Sequence, residues 1–211
     1  MVSPNTDNRE LEVKFFVADM KALEQKTLAL GGTLIQPRTH EYNLRFDTPA
    51  GDLTEAMSVL RLRRDNRSHL TYKGPSTTLG GVLARTELEF EVSDFEAAQK
   101  FVEALGFRSK FIYEKYRTTY DHNGLKITLD EMPYGEFVEI EGPDAASIHQ
   151  AAEDLGLDWE QRLPETYISI FRRLKELASL GFSDLTFANF EGVEVNLQRI
   201  GVQPAELDGA N

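Results

Sequence analysis

Seven segments of the chain alternate apolar and charged residues with a period of two, which is the pattern of a β-strand that buries one face. In the first of them, NRELEVKFFV, the apolar set begins at Leu11 and the charged set is Glu10, Glu12 and Lys14. The others are SVLRLRR, HLTYKG, ELEFEV, YEKYRTTY, LKITLDE and EFVEIEG. A weaker strand, YNLRFDT, ends at the turn DTPAGD and raises the expected number to about eight. The segment KGPSTTLGGVLA is rich in Gly, Ser and Thr and predicts a mobile loop.

Three other segments predict short amphipathic helices that share one design. Each begins with an aspartate suited to cap a helix N-terminus, at Asp19, Asp94 or Asp144, and ends at a glycine at the same offset. Apolar or small residues occupy identical positions in between. The strands that precede these helices carry Glu-x-Glu, at Glu10 and Glu12, Glu87 and Glu89, and Glu139 and Glu141. The sequence therefore indicates an internal duplication of a strand-plus-helix unit.

Strands joined by hairpin turns indicate an antiparallel sheet, and the amphipathic helices are expected to cover its apolar face. A sheet of about eight strands can close on itself, and its charged face then becomes the interior. We therefore predict an α+β fold: an eight-stranded antiparallel β-barrel, or tunnel, with a charged interior and flanking amphipathic helices. The alternative is a solvated sheet face held by cross-strand salt bridges.

The charged face combines cations and carboxylates, and its members are Glu10, Glu12, Lys14, Arg61, Arg63, Lys73, Glu87, Glu89, Glu91, Lys115, Arg117, Lys126, Asp130, Glu139 and Glu141. Burying an unpaired charge costs several kcal/mol, so the interior is expected to hold water, ions and a charged ligand. Arginines and lysines from separate strands suit phosphate oxygens. Carboxylates in Glu-x-Glu pairs suit Mg²⁺ or Mn²⁺. Together they predict a site for a metal–polyphosphate complex.

Length and composition restrict the remaining possibilities. The chain has 211 residues, which suits one domain, or one domain with an appendage. It has no apolar run long enough to span a bilayer and no charged-then-apolar leader, so no membrane partner and a cytoplasmic location are expected. The absence of cysteine excludes disulfides, thiolate metal sites and a thiol nucleophile, and the four histidines have no zinc-binding spacing. A net charge of -12 argues against a nucleic-acid partner.

The order of the charged motifs resembles that of the CYTH superfamily, also called triphosphate tunnel metalloenzymes, over about residues 8 to 177. This superfamily includes thiamine triphosphatases, inorganic tripolyphosphatases and class IV adenylate cyclases. The motifs that carry the resemblance are Glu10-x-Glu12-x-Lys14, Arg61-x-Arg63, Lys73, Glu87-x-Glu89, Lys115-x-Arg117, Asp130 and Glu139-x-Glu141. Glu91 and Lys126 lie on the same face but correspond less clearly to positions of the family, and they are not included among the implied site residues.

The resemblance implies an eight-stranded tunnel that binds a triphosphate together with a divalent cation, Mg²⁺ or Mn²⁺. The implied phosphate-binding residues are Lys14, Arg61, Arg63, Lys73, Lys115 and Arg117. The implied metal ligands are Glu10, Glu12, Glu139 and Glu141. The implied catalytic residues are Lys14, Glu87, Glu89 and Asp130, of which the three acids would serve a second metal or position the attacking group.

By this resemblance, the favoured function is metal-dependent hydrolysis of a small-molecule triphosphate: tripolyphosphate, thiamine triphosphate or a nucleoside triphosphate. The first alternative is a class IV adenylate cyclase, which would convert ATP into cyclic AMP and pyrophosphate in the same tunnel. A nucleotide base would need a stacking slot, but core or rim packing is the favoured role of the four candidates, Tyr42, Phe46, Tyr134 and Phe137. The second alternative is a non-catalytic polyphosphate-binding module, which would not need the acidic residues.

The C-terminal part of the chain divides into a helix and an extension. LPETYISIFRRLKELASLGF predicts a helix that opens at Pro164, carries an apolar stripe from Tyr167 to Leu177, and packs on the barrel or plugs one end. Residues 1–180 are expected to form the tunnel domain and 181–211 a C-terminal extension. Because the extension contains Phe182, Leu185 and other large apolar residues, it is expected to cover a barrel end or to join a second subunit of a homodimer.

Overall fold

The structure is a computed structural model in which residues 9–206 are described. Its strands are β1 (Arg9–Val17), β2 (Thr33–Asp47), β3 (Val59–Arg64), β4 (Ser68–Lys73), β5 (Thr77–Leu79), β6 (Val82–Val92), β7 (Arg108–His122), β8 (Leu125–Met132) and β9 (Gly135–Glu141). Its α-helices are α1 (Met20–Ala29), α2 (Asp52–Glu55), α3 (Phe95–Ala104), α4 (Ala145–Asp154) and α5 (Tyr167–Ala178). Short 3₁₀ turns occupy 159–161, 188–190 and 197–200. No helix within this part of the chain is long and apolar enough to cross a membrane.

The strands form one antiparallel nine-stranded sheet in the order β1-β9-β8-β7-β2-β3-β4-β6-β5. The sheet closes because β6 is shared between two neighbours. Its first residues, 83–86, pair with residues 9–12 of β1, whereas residues 87–92 pair with β4. Eight strands therefore form a ring, and β5 lies outside it as a hairpin on β6. This arrangement confirms the predicted α+β fold, with a tunnel that is less regular than a barrel.

Helices cover the outer face of the ring, as predicted. Leu11, Val13 and Phe15 of β1 belong to one hydrophobic cluster with residues of α1 and α4. Helix α3 buries Phe95 and Val102 in a second cluster, against β2 and β3. Because side chains alternate along a strand, the charged residues of β1 must then face the inside of the ring.

The three similar helices match their predicted boundaries. The side chains of Asp19, Asp94 and Asp144 each accept a hydrogen bond from a backbone N–H in the first turn of α1, α3 and α4. Each helix has ten residues and is followed, after its C-cap, by a glycine with positive φ, such as Gly106 at 98°. Positive φ is nearly free of steric cost for glycine alone, which explains why the design repeats this residue.

Helix α5 closes one end of the tunnel rather than lying on its side. At this end the inward positions change from charged to aromatic, and Tyr113 and Phe137 pack in one cluster with Ile170 and Phe171 of α5. The expectation that Pro164 opens this helix is wrong, because the Thr166 side chain caps it by accepting from the backbone N–H of Ser169. Pro164 lies two residues before this cap and is not part of the helix.

Residues 182–202 fold back over the same end of the ring, whereas Ala205 packs in the cluster formed by β1, α1 and α4. Leu185 is completely buried and exchanges backbone hydrogen bonds with β7, donating to Ile112 and accepting from Glu114. Near the end of the described chain, the backbone N–H of Ala205 donates to the carbonyl of Phe16 in β1. The aromatic cluster around α5 therefore extends into this segment through Phe190, Leu197 and Val202.

One local prediction is wrong, and another is correct but too short. The segment expected to be a mobile loop forms β5 and the start of β6, joined at Gly80 and Gly81, whose φ angles are 57° and 85°. Two consecutive positive φ values are what a tight two-residue hairpin turn requires, and Gly-Gly supplies them. The weak strand YNLRFDT is the end of a longer strand, β2, whose first half is interrupted by register shifts around Pro37.

Candidate active site

A cavity inside the ring receives side chains from all eight of its strands. Its enclosed volume is about 140 Å³, and further space lies in its open mouth. Every predicted site residue except Asp130 lines it, namely Glu10, Glu12, Lys14, Arg61, Arg63, Lys73, Glu87, Glu89, Lys115, Arg117, Glu139 and Glu141. The structure thus brings these residues together in one cavity, while their chemical roles stay predictions.

Asp130 lies behind the tunnel wall and is completely buried. Lys115 Nζ donates to it at 2.9 Å, Arg117 Nε at 2.6 Å, and the hydroxyl of Tyr167 at 2.8 Å. All of these donors line the cavity, whereas Asp130 itself does not reach it. Its role toward a second metal or the attacking group stays a prediction, and its observed contacts orient Lys115 and Arg117.

Glu139 is the centre of an ion-pair network on β1, β7 and β9. Lys14 Nζ lies 2.8 Å from its carboxylate, and Arg117 donates to the same group. Burial alone would raise the pKa of Glu139, but the cations Lys14, Arg117 and Lys115 hold it well below its usual range. Glu139 therefore remains a carboxylate at neutral pH and fixes the cations around it.

Glu10 and Glu87 behave differently from each other, although Lys73 contacts both. Its ammonium lies 2.7 Å from Glu10 and 3.1 Å from Glu87, and Arg85 Nε donates to Glu10 at 2.9 Å. Burial and the neighbouring Glu10 carboxylate raise the pKa of Glu87 to about 7, against the opposing effect of Lys73. The cations outweigh burial at Glu10 and lower its pKa. Within this pair, burial therefore favours the protonated form of Glu87, while the cations favour the carboxylate form of Glu10.

Sequence reasoning missed several residues of the site. Arg85 lies between the predicted loop, residues 73–84, and the predicted strand ELEFEV, and so belonged to neither, and yet it lines the cavity and pairs with Glu10 and Glu12. Glu41 and Arg45 alternate with apolar residues along the end of β2, so the period-two signal was present. Tyr113 and Tyr167 also line the cavity, but no sequence pattern separates such tyrosines from core aromatics.

Glu41 is buried beneath three of the predicted phosphate-binding cations. Only 1% of its surface is exposed, and its carboxylate lies 3.6 Å from Lys115, 3.8 Å from Arg63 and 3.9 Å from Arg117. Although burial opposes ionisation, these cations lower the pKa of Glu41 to about 2. Glu41 therefore adds a fixed negative charge behind the wall, as Asp130 does on the opposite side of β7.

The aromatic residues considered for base stacking do not line the cavity. Phe46, Tyr134 and Phe137 are buried in the hydrophobic clusters. Tyr42 packs in a tilted arrangement against Phe95 of α3, with ring centroids 6.2 Å apart. The core and rim roles favoured from the sequence are confirmed for these four residues.

The predicted metal ligands have suitable chemistry, although no three acidic or histidine side chains within residues 9–206 stand in a ready metal-binding arrangement. Glu12 of β1 lies directly across from Glu141 of β9, and Glu10 and Glu139 line the same cavity. Carboxylate oxygens on adjacent strands are donors that Mg²⁺ and Mn²⁺ accept. Each carboxylate is turned toward a lysine or arginine, and a cation among them would compete with these ion pairs.

The CYTH domain family model matches residues 8–174 of the chain. Similar solved structures include a presumed adenylate cyclase from Vibrio parahaemolyticus, with a TM-score of 0.71 and 20% identity over 77% of this chain and 97% of that one. A protein from Pyrococcus horikoshii has a TM-score of 0.63 and 28% identity over 76% and 98% of the two chains. The presumed adenylyl cyclase HpAC1 from Hippeastrum, described as having a dominant triphosphatase activity, has a TM-score of 0.61 and 21% identity over 77% and 95%. No functionally curated protein matches the chain.

Proposed function

This chain belongs to the CYTH domain family, and we propose that it is a divalent-metal-dependent enzyme that binds a triphosphate inside the tunnel and hydrolyses it. The observation that carries the proposal is the convergence of six cations in one cavity. They come from β1, β3, β4 and β7, and they are Lys14, Arg61, Arg63, Lys73, Lys115 and Arg117. Cations on different strands can surround a linear polyanion, which a single strand cannot do.

The electrostatics of the wall support binding of a highly charged ligand. The cations of the proposed clamp are held by carboxylates behind or beside them, as Asp130 and Glu41 hold Lys115 and Arg117. Such preorganised groups need no large rearrangement when they meet the transferring phosphoryl group. Because phosphoryl transfer depends mainly on positioning and charge neutralisation, the chain's own residues supply much of what the reaction requires.

The acidic side of the cavity would complete the site. Glu10, Glu12, Glu139 and Glu141 would hold Mg²⁺ or Mn²⁺, which when bound supplies further neutralisation of phosphate charge. Glu87, whose pKa is raised to about 7 by burial and by Glu10, is able to accept or hold a proton at neutral pH. We propose that Glu87, which lies beside Lys73, accepts the proton of the attacking water.

A product assay distinguishes hydrolysis from the cyclase alternative. The purified full chain is incubated with Mg²⁺ or Mn²⁺ and, separately, with tripolyphosphate, thiamine triphosphate and ATP. Release of orthophosphate supports the proposal. Cyclic AMP together with pyrophosphate from ATP would instead identify a class IV adenylate cyclase. Tight binding with no product from any of the three would identify a polyphosphate-binding module.

The metal role is tested by the double change Glu10→Gln and Glu12→Gln. We expect it to abolish metal-dependent turnover, because two of the four proposed ligands lose their charge. The matched control is Glu91→Gln, which removes a carboxylate of the neighbouring strand that is paired with Arg67 at an exposed position.

Two further measurements separate metal binding from other effects of this double variant. Circular dichroism should be unchanged, and binding of tripolyphosphate in EDTA should be retained or strengthened, because removing carboxylates removes repulsion. Full turnover in the double variant would refute the metal role of this pair.

A further inference from the structure

Arg45 differs from the other cations that line the cavity. Eight of them have a carboxylate oxygen within 4.0 Å, and they are Lys14, Arg61, Arg63, Lys73, Arg85, Lys115, Arg117 and Lys126. Within residues 9–206, Arg45 has no acidic partner at this distance, although it lines the same cavity and is half-buried. The wall therefore contains one arginine that the protein itself does not neutralise.

The neighbours of Arg45 are cationic as well. Arg45 of β2 lies directly across from Arg61 of β3, so both side chains emerge on the inner face of the ring. Burial, followed by Arg172 of α5 and Arg61, lowers the pKa of Arg45, whereas Tyr113 opposes this effect. Like charges directly opposite in an antiparallel pair destabilise a sheet, so this arrangement lowers stability unless an anion lies between the two guanidinium groups.

Arg45 also marks a definite end of the tunnel. Its cross-strand partner on β7 is Phe111, whose ring lies 6.0 Å from that of Phe171 in α5. Tyr113, which accepts a hydrogen bond from Arg61 at 3.3 Å, packs in the same cluster as α5. Arg45 therefore lies at the end of the cavity that α5 closes.

We propose that Arg45, together with Arg61, binds the free terminal phosphate of the substrate at the end of the tunnel closed by α5. This inference rests on the proposed function and extends it to the orientation and length of the substrate. In this arrangement, a bulky substituent on the chain, such as a nucleoside, faces the opposite mouth. The terminal phosphate carries the highest charge of the chain, and two opposed guanidinium forks suit its oxygens. The enzyme would thereby select triphosphates over diphosphates.

The test compares Arg45→Gln with the wild-type chain by calorimetric titration in EDTA, so that no turnover occurs. The ligands are tripolyphosphate, ATP and pyrophosphate. Loss of one charge-assisted contact should weaken the binding of tripolyphosphate and of ATP to a similar degree, roughly 10- to 100-fold. The affinity for pyrophosphate should fall by less than roughly threefold, because the remaining cations can bind a shorter chain. Arg45→Lys should be intermediate, because it keeps the charge but loses the fork.

Controls separate this role from a structural one. Arg64→Gln, which removes an arginine of β3 paired at an exposed position with Glu96, should leave all affinities unchanged. Without ligand, Arg45→Gln should melt at the same or a higher temperature, because it removes repulsion with Arg61. A lower melting temperature would show instead that Arg45 supports the fold, and would overturn the inference.

The outcomes also separate this inference from the proposed function. Tripolyphosphate binding that is unchanged in Arg45→Gln, or an equal loss for pyrophosphate, would overturn the terminal subsite. Unchanged ATP binding beside weakened tripolyphosphate would overturn the orientation. If the wild-type chain binds none of the three ligands, the proposed function itself fails.

Discussion

Asp130→Asn removes a buried negative charge while keeping the size of the side chain. In the wild-type chain, Asp130 is completely buried and accepts hydrogen bonds from Lys115, Arg117 and Tyr167. Asparagine has one acceptor oxygen, and its amide N–H groups would face cations that are themselves donors. The variant therefore leaves two largely buried cations without their shared counter-ion.

The size of the effect follows from this environment. Removing one partner of a buried ion pair destabilises a protein by about 3 to 5 kcal/mol, because the remaining charge is uncompensated. For a chain of this length, that corresponds to a fall of roughly 6 to 20 °C in melting temperature. Glu41 lies 3.6 Å from Lys115 and 3.9 Å from Arg117 and keeps part of the compensation, which favours the lower end of the range.

Urea unfolding at pH 7, followed by circular dichroism, measures the difference in the free energy of unfolding. Asp121→Asn is the matched control, because it makes the same chemical change at an exposed position of β7 and should cost less than about 0.5 kcal/mol. Tripolyphosphate binding should also weaken in Asp130→Asn, since Lys115 and Arg117 lose the group that orients them. If both variants are equally stable, Asp130 does not carry the charge balance assigned to it.

Two further predictions concern pH dependence and the C-terminal segment. The pKa of Glu87 is raised from its ordinary value of 4.5 to about 7, so its contribution to stability is present below pH 4.5 and lost as pH rises through 7. Relative to Glu87→Gln, the free energy of unfolding of the wild type should fall by about 3 kcal/mol across this window. Urea unfolding at pH 4.5 and pH 8 measures this. If the two proteins differ in their free energy of unfolding by the same amount at both pH values, the prediction is wrong. Leu185→Ala should cost about 2 to 5 kcal/mol, because Leu185 is completely buried, whereas Leu177→Ala, at 45% exposure, should cost far less. Equal melting temperatures for these two variants would show that residues 182–206 add nothing to the core.

The sequence was sufficient to predict which face of each strand points inward. Along β1, the residues Glu10, Glu12 and Lys14 alternate with Leu11 and Val13, and side chains in a strand must alternate between faces. Once helices covered the apolar side, the charged side could only be interior. The same reasoning applied to β9, and its register with β1 agrees with it.

Depth within the wall could not be predicted in this way. Asp130 shares the inward face with the cavity-lining residues, but it lies beneath Lys115 and Arg117, and periodicity carries no information on which side chain covers another. Arg85 was missed for a different reason, since the hairpin that places it depends on two positive φ angles at Gly80 and Gly81 and not on an apolar pattern. Tyr113 became part of the site because α5 packs against the end of the ring, which is a long-range contact.

Closure of the ring has a consequence for how the chain folds. Strand β1 forms its longest pairing with β9, so that Lys14 meets Glu139, and it meets β6 over only four positions, from Arg9 to Glu12. During synthesis β1 must therefore wait until almost the whole tunnel sequence has left the ribosome. Long-range pairing of this kind slows folding, and the unfinished ring would expose unpaired strand edges that attract other chains. Entry of β1 between β9 and β6 closes the ring and removes these unpaired edges.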